Sequence, residues 1–202
     1  MRRTSTEARR PAEAHPSVAG QNGRALLRAV ESHDEPTATH SYVVLDLARR
    51  VARRLGLPPS HVAEVEQVAL LHDVGKLSIP QAILSKPGPL DEQEWATMRS
   101  HPAIGADAIA EVSELAHLAP AVRASHERWD GRGYPDGLAG YDIPAASRIT
   151  FVCDAYDAMT SDRPYRMARS RLVALAELLR GAGSQFCPHC AEALVDELLE
   201  RD

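Results

Sequence analysis

The stretch Ser125-His126-Glu127-Arg128-Trp129-Asp130-Gly131-Arg132-Gly133-Tyr134-Pro135 is the part of the sequence that decides how the rest is interpreted. It places a His-Glu pair, two glycines and a Tyr-Pro dipeptide close together. Upstream lies a second motif, His72-Asp73-Val74-Gly75-Lys76. Imidazole and carboxylate ligands with a lysine nearby are the side chains that a metal-dependent phosphohydrolase requires.

These motifs resemble those of the HD-GYP family, the subgroup of HD-superfamily hydrolases associated with the breakdown of cyclic di-GMP. The resemblance covers roughly residues 34–192, because several separated motifs follow one another in the family's order. It implies an all-α fold, a multi-helix HD-domain bundle with a Gly-rich GYP loop. One position departs from the family pattern: the family usually has His-His-Glu where this chain has Ser125-His126-Glu127.

Length and composition are those of one globular domain. The chain has 202 residues, 44% of them hydrophobic and 25% charged, and a formal net charge of -5. The acidic balance argues against binding of duplex nucleic acid. No apolar run is long enough to cross a bilayer, and the N-terminus lacks a secretory signal, so we expect no membrane partner and a cytoplasmic location.

The chain is expected to divide into a tail and one domain. Residues 1–22 are rich in Arg, Ala, Ser and Pro without a sustained apolar period, which predicts a disordered tail or linker. Residues 23–202 form the HD-GYP-like domain. The Gly-rich segment 130–140 is expected to be a loop. Apolar spacing predicts helices over 23–32, 39–55, from an N-cap at Ser60 to about 73, and over 91–99, 101–116, 145–161, 170–179 and 188–199.

The candidate metal ligands are histidines and aspartates from separate helices: His40, His72, Asp73, His101, His126 and Asp154. Such ligands suit Fe, Mn, Zn or Ni, and a carboxylate can bridge two ions. Because neighbouring residues on a helix diverge by about 100°, His72 and Asp73 can serve one site only at a helix end, which Gly75 is expected to provide. His15, His33, His61 and His117 are interpreted as surface or structural histidines.

The resemblance distributes these ligands over two sites. The first would use His40, His72, Asp73 and Asp154, and the second would use Asp73, His101, His126 and the residue at position 125. Serine is a poor ligand for these metals, so we expect one tightly bound divalent ion and a second, weak one. A third ion is not expected, because Pro36 occupies the position of the family's additional glutamate.

Further residues are candidates for contact with substrate. His72, Asp73 and Lys76 are the expected catalytic residues, and the predicted substrate-binding residues are Lys76, Arg163, Arg166, Tyr134 and Asp157. The alternatives are a solvated lysine at a helix C-terminus and surface arginines paired with acidic neighbours. Trp129 is interpreted as a loop anchor. Cys187-Pro188-His189-Cys190 is interpreted as a structural helix start rather than a zinc site, because a further ligand would be needed.

The resulting prediction is metal-dependent hydrolysis of cyclic di-GMP to linear pGpG and onward to GMP. Two alternatives stay open: a catalytically weakened cyclic-dinucleotide-binding or interaction module, which Ser125 suggests, and an HD hydrolase acting on another phosphoester. The sequence shows no sensor or receiver pattern, so a regulator would be either a separate sensory or regulatory protein or the short tail, and both stay open.

Overall fold

The all-α prediction is confirmed. A computed structural model describes residues 35–162 and 167–200, with side chains from residue 39 onward. Within these ranges there is no β-strand, and the only β-like pairing is two isolated bridges. None of the described helices is long and apolar enough to cross a membrane. The predicted tail at 1–22, the predicted helix at 23–32, and Arg163 and Arg166 lie outside the described residues.

The helices follow one another through short connections. In chain order they are α1 Glu35–Arg54, α2 Pro59–Leu71, α3 Gln81–Leu84, α4 Glu92–Arg99, α5 His101–Ala110, α6 Ala119–Arg123, α7 Ala145–Thr160, α8 Arg171–Gly181 and α9 Pro188–Leu199. Short 3₁₀ segments lie at Val74–Ser78, Ala116–Leu118 and Gly140–Asp142.

Helices α1, α2 and α7 form the centre of the bundle, and α9 packs against α1 and α7. Helix α1 buries Val44, Ala48 and Val51 completely, at the helical spacing that the sequence predicts. Gly56 turns the chain with a φ of 72°, and α2 then returns along α1 with Val65 and Val68 in the same core. The side chains that α1, α2 and α7 present at one end of this core form the candidate site.

Several predicted helix boundaries are wrong. Helix α1 begins at Glu35, before the predicted residue 39. Helix α2 has its N-cap at Pro58 rather than Ser60, because Pro59 fits the first turn, where its missing N–H is not needed. The predicted helix 101–116 ends at Ala110; the chain then turns to bury Leu115 and Leu118, and the unpredicted α6 starts beside Pro120.

Gly75 was predicted to end the helix that carries His72 and Asp73, but its role in the structure is different. Helix α2 already ends at Leu71, and Gly75 lies in the following 3₁₀ segment. A Cβ at this position would lie 1.9 Å from the carbonyl oxygen of His101 and 2.7 Å from the backbone nitrogen of Gly105. Glycine is therefore required because α5 crosses the backbone here, and this crossing brings His101 next to Asp73.

The segment predicted to be a loop, 130–140, is non-helical over 130–139 and enters a 3₁₀ segment at Gly140. Its first residues are held by the chain before α9, because the backbone N–H groups of Trp129 and Asp130 donate to the carbonyls of Gln185 and Ser184 at 3.2 and 2.8 Å. The Tyr134–Pro135 peptide bond is cis. These contacts fix the start of the loop against the helical bundle.

Candidate metal centre

Five elements each bring at least one predicted ligand to the same end of the bundle. Helix α1 carries His40, and the end of α2 carries His72 followed by Asp73. His101 is the first residue of α5, His126 follows α6, and Asp154 lies on α7. Because His72 is the C-cap of α2, the backbone leaves the helical path at Asp73, and both side chains reach the same region.

The ligand atoms fall into two groups that share Asp73. One atom each from His40, His72 and Asp73 lie within 4.8 Å of one another, and the same holds for Asp73, His101 and His126. The structure thus brings the predicted ligands together, and the central position of Asp73 allows it to contribute to both groups. Asp154 lies at the edge of the first group, with Oδ1 3.0 Å from Nε2 of His40.

Hydrogen bonds fix the orientation of three of the four imidazoles. The Nδ1 atom of His72 lies 2.7 Å from the carbonyl of Ala69, and that of His101 lies 2.7 Å from the carbonyl of Met98. A carbonyl can only accept, so in both rings Nδ1 carries the proton and Nε2 keeps its lone pair. The Nδ1 atom of His40 lies 2.5 Å from Oδ2 of Asp157. Such outer hydrogen bonds are typical of metal-binding histidines.

Two buried atoms at the centre have no hydrogen-bond partner among the described residues, which fits a bound cation. Nε2 of His72 and Oδ1 of Asp73 are both buried without one. Leaving such polar atoms unsatisfied is costly, and a divalent ion would satisfy both. In the second group, Nε2 of His101 lies 3.0 Å from Nε2 of His126 and 3.2 Å from Oδ1 of Asp73. Three ligand atoms this close together fit a shared ion.

The pKa shifts favour the protonation states that coordination needs. Burial lowers the pKa of both His72 and His101, which keeps these imidazoles neutral. Burial alone would raise the pKa of Asp73, but the adjacent His72 and Lys76, followed by the other histidines, hold it well below its usual range. A buried, ionised carboxylate beside the neutral imidazoles of His72 and His101 is a strong ligand set for a divalent cation.

His40 differs from His72 and His101 in the direction of its pKa shift. Burial alone would lower its pKa, but hydrogen bonds to Asp154 and Asp157 outweigh burial and raise the pKa to about 9. In the absence of a cation, a proton therefore holds the two carboxylates together. A cation that binds at Nε2 of His40 would replace this proton.

Lys76 and Tyr134, which are among the predicted substrate residues, contact predicted ligands. Nζ of Lys76 lies 2.5 Å from Oδ2 of Asp73, so its charge is directed to the centre. The ring of Tyr134 stacks on His126, with centroids 5.3 Å apart and planes at 5° to each other. That Tyr134 binds substrate stays a prediction, and the observed contact of its ring is with a predicted metal ligand.

Comparison with known proteins agrees with this arrangement. A family model described as the HD domain matches residues 24–189. The chain belongs to the HD domain family. It is 41% identical over 172 residues to the cyclic di-GMP phosphodiesterase response regulator RpfG of Xanthomonas campestris, covering 84% of this chain and 46% of that protein.

Other relatives with related names resemble this HD domain. It is 38% identical over 173 residues to the 3'3'-cGAMP-specific phosphodiesterase 2 of Vibrio cholerae, covering 85% of this chain and 33% of that protein. The fold matches a crystal structure of a cyclic GMP-AMP specific phosphodiesterase from V. cholerae with a TM-score of 0.66 and 19% identity, over 87% of this chain and 47% of that one. The chain spans less than half the length of these relatives.

The hydroxyl of Ser125, at the position that departs from the family pattern, is buried. The residue is 1% exposed, and its Oγ has no hydrogen-bond partner among the described residues. The neighbouring His126 reaches Asp73, with Nε2 3.7 Å from Oδ1. The second ligand group of this HD domain therefore has three donors without position 125.

Two buried carboxylates in this HD domain have positioning roles that the sequence did not reveal. Asp157, which we predicted to bind substrate, contacts His40, and its contact with substrate stays a prediction. The i,i+3 spacing of Asp154 and Asp157 on α7 was the available signal, because it places both carboxylates on one helix face. Glu127 accepts hydrogen bonds at Oε1 from the backbone N–H groups of Asp136 and Gly137, at 2.7 and 2.9 Å, and so fixes the loop.

Other assignments of side chains outside the ligand set agree with the structure. His61 and His117 are exposed, while His15 and His33 lie outside the described residues. Trp129 packs partly buried against the core, with its ring edge-on to Tyr141 at 5.0 Å, as expected of a loop anchor. Cys187 is the N-cap of α9, with Pro188 at its first position.

Proposed function

We propose that this chain hydrolyses a phosphodiester bond of a cyclic dinucleotide in a reaction that depends on divalent metal ions. The observation that carries the proposal is the cluster around Asp73, in which imidazole nitrogens from three helices and one interhelical segment surround an ionised, buried carboxylate. The names of the relatives supply the substrate class, because both are phosphodiesterases acting on cyclic dinucleotides.

The charges of the centre support a metal requirement. Asp73, Asp154 and Asp157 lie close together with His40 and would repel the phosphates of an anionic substrate. Divalent ions at this centre would reverse the local charge, stabilise the phosphate oxygens and lower the pKa of a water molecule for attack on phosphorus. His40, His72, Asp73 and Asp154 would hold the first ion, and Asp73, His101 and His126 the second.

The chain's own residues would position and neutralise the substrate. Lys76 is 29% exposed and borders the centre, so its ammonium group can exchange Asp73 for a phosphate oxygen. Arg163 and Arg166 are proposed to bind phosphate oxygens bidentately. Tyr134 would order His126 through stacking and border the substrate on the loop side. Control by a separate sensory or regulatory protein stays a prediction.

Cyclic di-GMP is the proposed substrate, with linear pGpG and then GMP as products. The test is incubation of the protein with cyclic di-GMP, 3'3'-cGAMP and a linear phosphodiester in parallel, with added Mn²⁺ or Fe²⁺, followed by chromatography. We expect cyclic di-GMP to be opened fastest. His72→Ala should abolish turnover, whereas His61→Ala, an exposed histidine, should leave it unchanged. Faster turnover of cGAMP would change the substrate assignment, and no product above the His72→Ala background would contradict hydrolysis.

A second candidate function is binding of a cyclic dinucleotide without turnover. Ser125 favours it, because one ligand of the family's second site is replaced. Calorimetry distinguishes the two functions: micromolar or tighter binding of cyclic di-GMP without product under any tested metal would favour the binding module. Turnover of an unrelated phosphoester alone would favour the broader HD hydrolase alternative.

A further inference from the structure

A pair of cysteines at the start of α9 forms a second reactive cluster apart from the metal centre. Cys187 is the N-cap and Cys190 lies in the first turn, in the sequence Cys187-Pro188-His189-Cys190. Both are free thiols, and Cys190 follows Cys187 within the first turn of the helix. A Cys-x-x-C pair at a helix N-terminus is the arrangement in which the first sulfur is most easily ionised.

Arg148 on α7 supplies a cation to the same sulfur. Its Nη1 lies 3.7 Å from Sγ of Cys187. The guanidinium is fixed on its other sides, because Nε donates to the carbonyl of Ile143 at 2.9 Å and the group lies over the ring of Tyr141 at 5.1 Å. A fixed cation at this distance stabilises a thiolate and does not move away when the sulfur reacts.

The two sulfurs differ in acidity. The hydrogen bond from Cys190, followed by the nearby Arg148, lowers the pKa of the Cys187 thiol. The pKa of Cys190 is raised, mainly by its hydrogen bond to Cys187 and by burial. One nucleophilic thiolate beside one protonated thiol is the division of roles found in dithiols that exchange with disulfides.

A pocket gives small molecules access to the pair. Cys187 and Cys190 are each 3% exposed, but both line a cavity of about 240 Å³. Arg148, Tyr141 and the exposed His189 contribute to the same wall. Among the described residues, the clusters with three or more metal-binding donors include neither cysteine, so a zinc site does not explain the pair.

We propose that Cys187 and Cys190 form a redox-active dithiol that exchanges reversibly with low-molecular-mass disulfides. The Cys187 thiolate attacks one sulfur of the disulfide, forms a mixed disulfide and releases the other half as a thiolate. Cys190 then loses its proton to solvent or to the released thiolate, attacks the sulfur of Cys187 and expels the second thiolate. The two protein thiols are oxidised to one disulfide, and one disulfide of the reagent is reduced to two thiols.

The test is equilibration of the full chain with glutathione buffers of graded reduced-to-oxidised ratio, followed by alkylation and mass spectrometry of the tryptic peptides. Cys187 and Cys190 lie together in the peptide 181–201, and Cys153 lies in a separate one, 149–166. We expect the first peptide to shift from two alkyl groups to none, with the loss of two hydrogen atoms, as the buffer becomes oxidising. Cys153 should remain a thiol throughout.

Variants assign the roles of the residues. Cys190→Ser should trap glutathione on Cys187, whereas Cys187→Ser should leave Cys190 unmodified. Arg148→Met should slow alkylation of Cys187 at pH 6.5 by about three- to tenfold, because the thiolate loses its cation. Cys153→Ser is the matched control and should change none of these results. Circular dichroism melting checks that each variant is folded.

Four results would overturn the proposal. These are a peptide that stays fully alkylated in every buffer, a Cys190→Ser protein that traps no glutathione, disulfides that form only between two chains, and zinc retained by the unmodified protein but lost from Cys187→Ser. None of these readouts depends on hydrolysis of a nucleotide, so the proposal is tested separately from the proposed function.

Discussion

Asp73 is the residue on which the whole centre depends. Its carboxylate lies within 3.2 Å of Nε2 of His101, 3.4 Å of Nε2 of His72 and 2.5 Å of Nζ of Lys76. It is also the only residue that belongs to both ligand groups found among the described residues. Removing Asp73 should therefore weaken the binding of two ions, whereas removing any one of the histidines should weaken the binding of one.

We accordingly expect Asp73→Ala to reduce metal content and activity more than His101→Ala. Loss of one ligand should lower the affinity for one ion by a factor on the order of 10–100 or more, because loss of hydrogen bonds to the ligands alone has effects of that size. Elemental analysis after dialysis and turnover of cyclic di-GMP measure both quantities. Equal losses in the two variants would show that Asp73 serves only one site.

Position 125 provides a second prediction at the scale of one residue. A hydroxyl does not replace an imidazole as a ligand to these metals at neutral pH, because its ionisation is too costly. We expect about one tightly held ion per chain, with a second appearing only at high added metal. Ser125→His should raise the tight stoichiometry toward two and increase hydrolysis.

The control for position 125 is Ser113→His, an exposed serine, which should leave the metal content at one. Two tightly bound ions in the unmodified protein would contradict the prediction. They would mean that His101, His126 and Asp73 suffice for the second ion.

At the scale of elements, the contact between α1 and α7 is where a bound cation would replace a proton on His40. His40 on α1 lies between Asp154 and Asp157 on α7, and this contact raises its pKa to about 9. Because folding raises the pKa of His40, its protonation stabilises the metal-free fold. This stabilisation is fully present at pH values below the pKa of histidine in the unfolded chain, about 6.5. This stabilisation is lost as the pH rises through about 9.

Metal binding should therefore release a proton from His40. At pH 7.5 we expect about one proton per first ion bound, measured by calorimetry in buffers of different ionisation enthalpy. Asp157→Asn removes one carboxylate and should reduce the release, whereas Asp107→Asn, an exposed carboxylate on α5, should not. Proton release that is unaffected by Asp157→Asn would assign the proton to another group.

The crossing of α5 over the 3₁₀ segment gives a prediction about stability. Gly75→Ala places a methyl group against the His101 carbonyl and should cost about 2 kcal/mol or more of unfolding free energy, by overpacking. Gly140→Ala is the matched comparison: its φ is 57° and it has no neighbour within 4 Å, so only the backbone penalty of about 1 kcal/mol applies. Denaturant unfolding measures both, and a smaller loss at Gly75 would show that α5 can move away.

At the scale of the whole molecule, apolar spacing predicted most helices, because most of them bury one stripe of side chains in a shared core. The breaks within residues 101–123 were missed because burial of Leu115 and Leu118 overrode local helix preference. The residues that gather around Asp73 were predictable from their motifs. The spacing on α7 pointed to Asp157 as a neighbour of Asp154, but its contact with His40 was not predicted. The carbonyls of Ala69 and Met98 that orient His72 and His101 had no signal in any motif.

Removal of residues 1–22 gives the last prediction. This segment has no apolar period, and the family match begins only at residue 24, so we expect it to contribute little to the burial that stabilises the bundle. We expect the truncated chain to melt at nearly the same temperature and to keep its metal content and any hydrolysis. A matched truncation of the buried C-terminal helix α9 should unfold the protein, because Leu194 is fully buried. A large drop in melting temperature on removal of residues 1–22 would show that the segment docks on the domain.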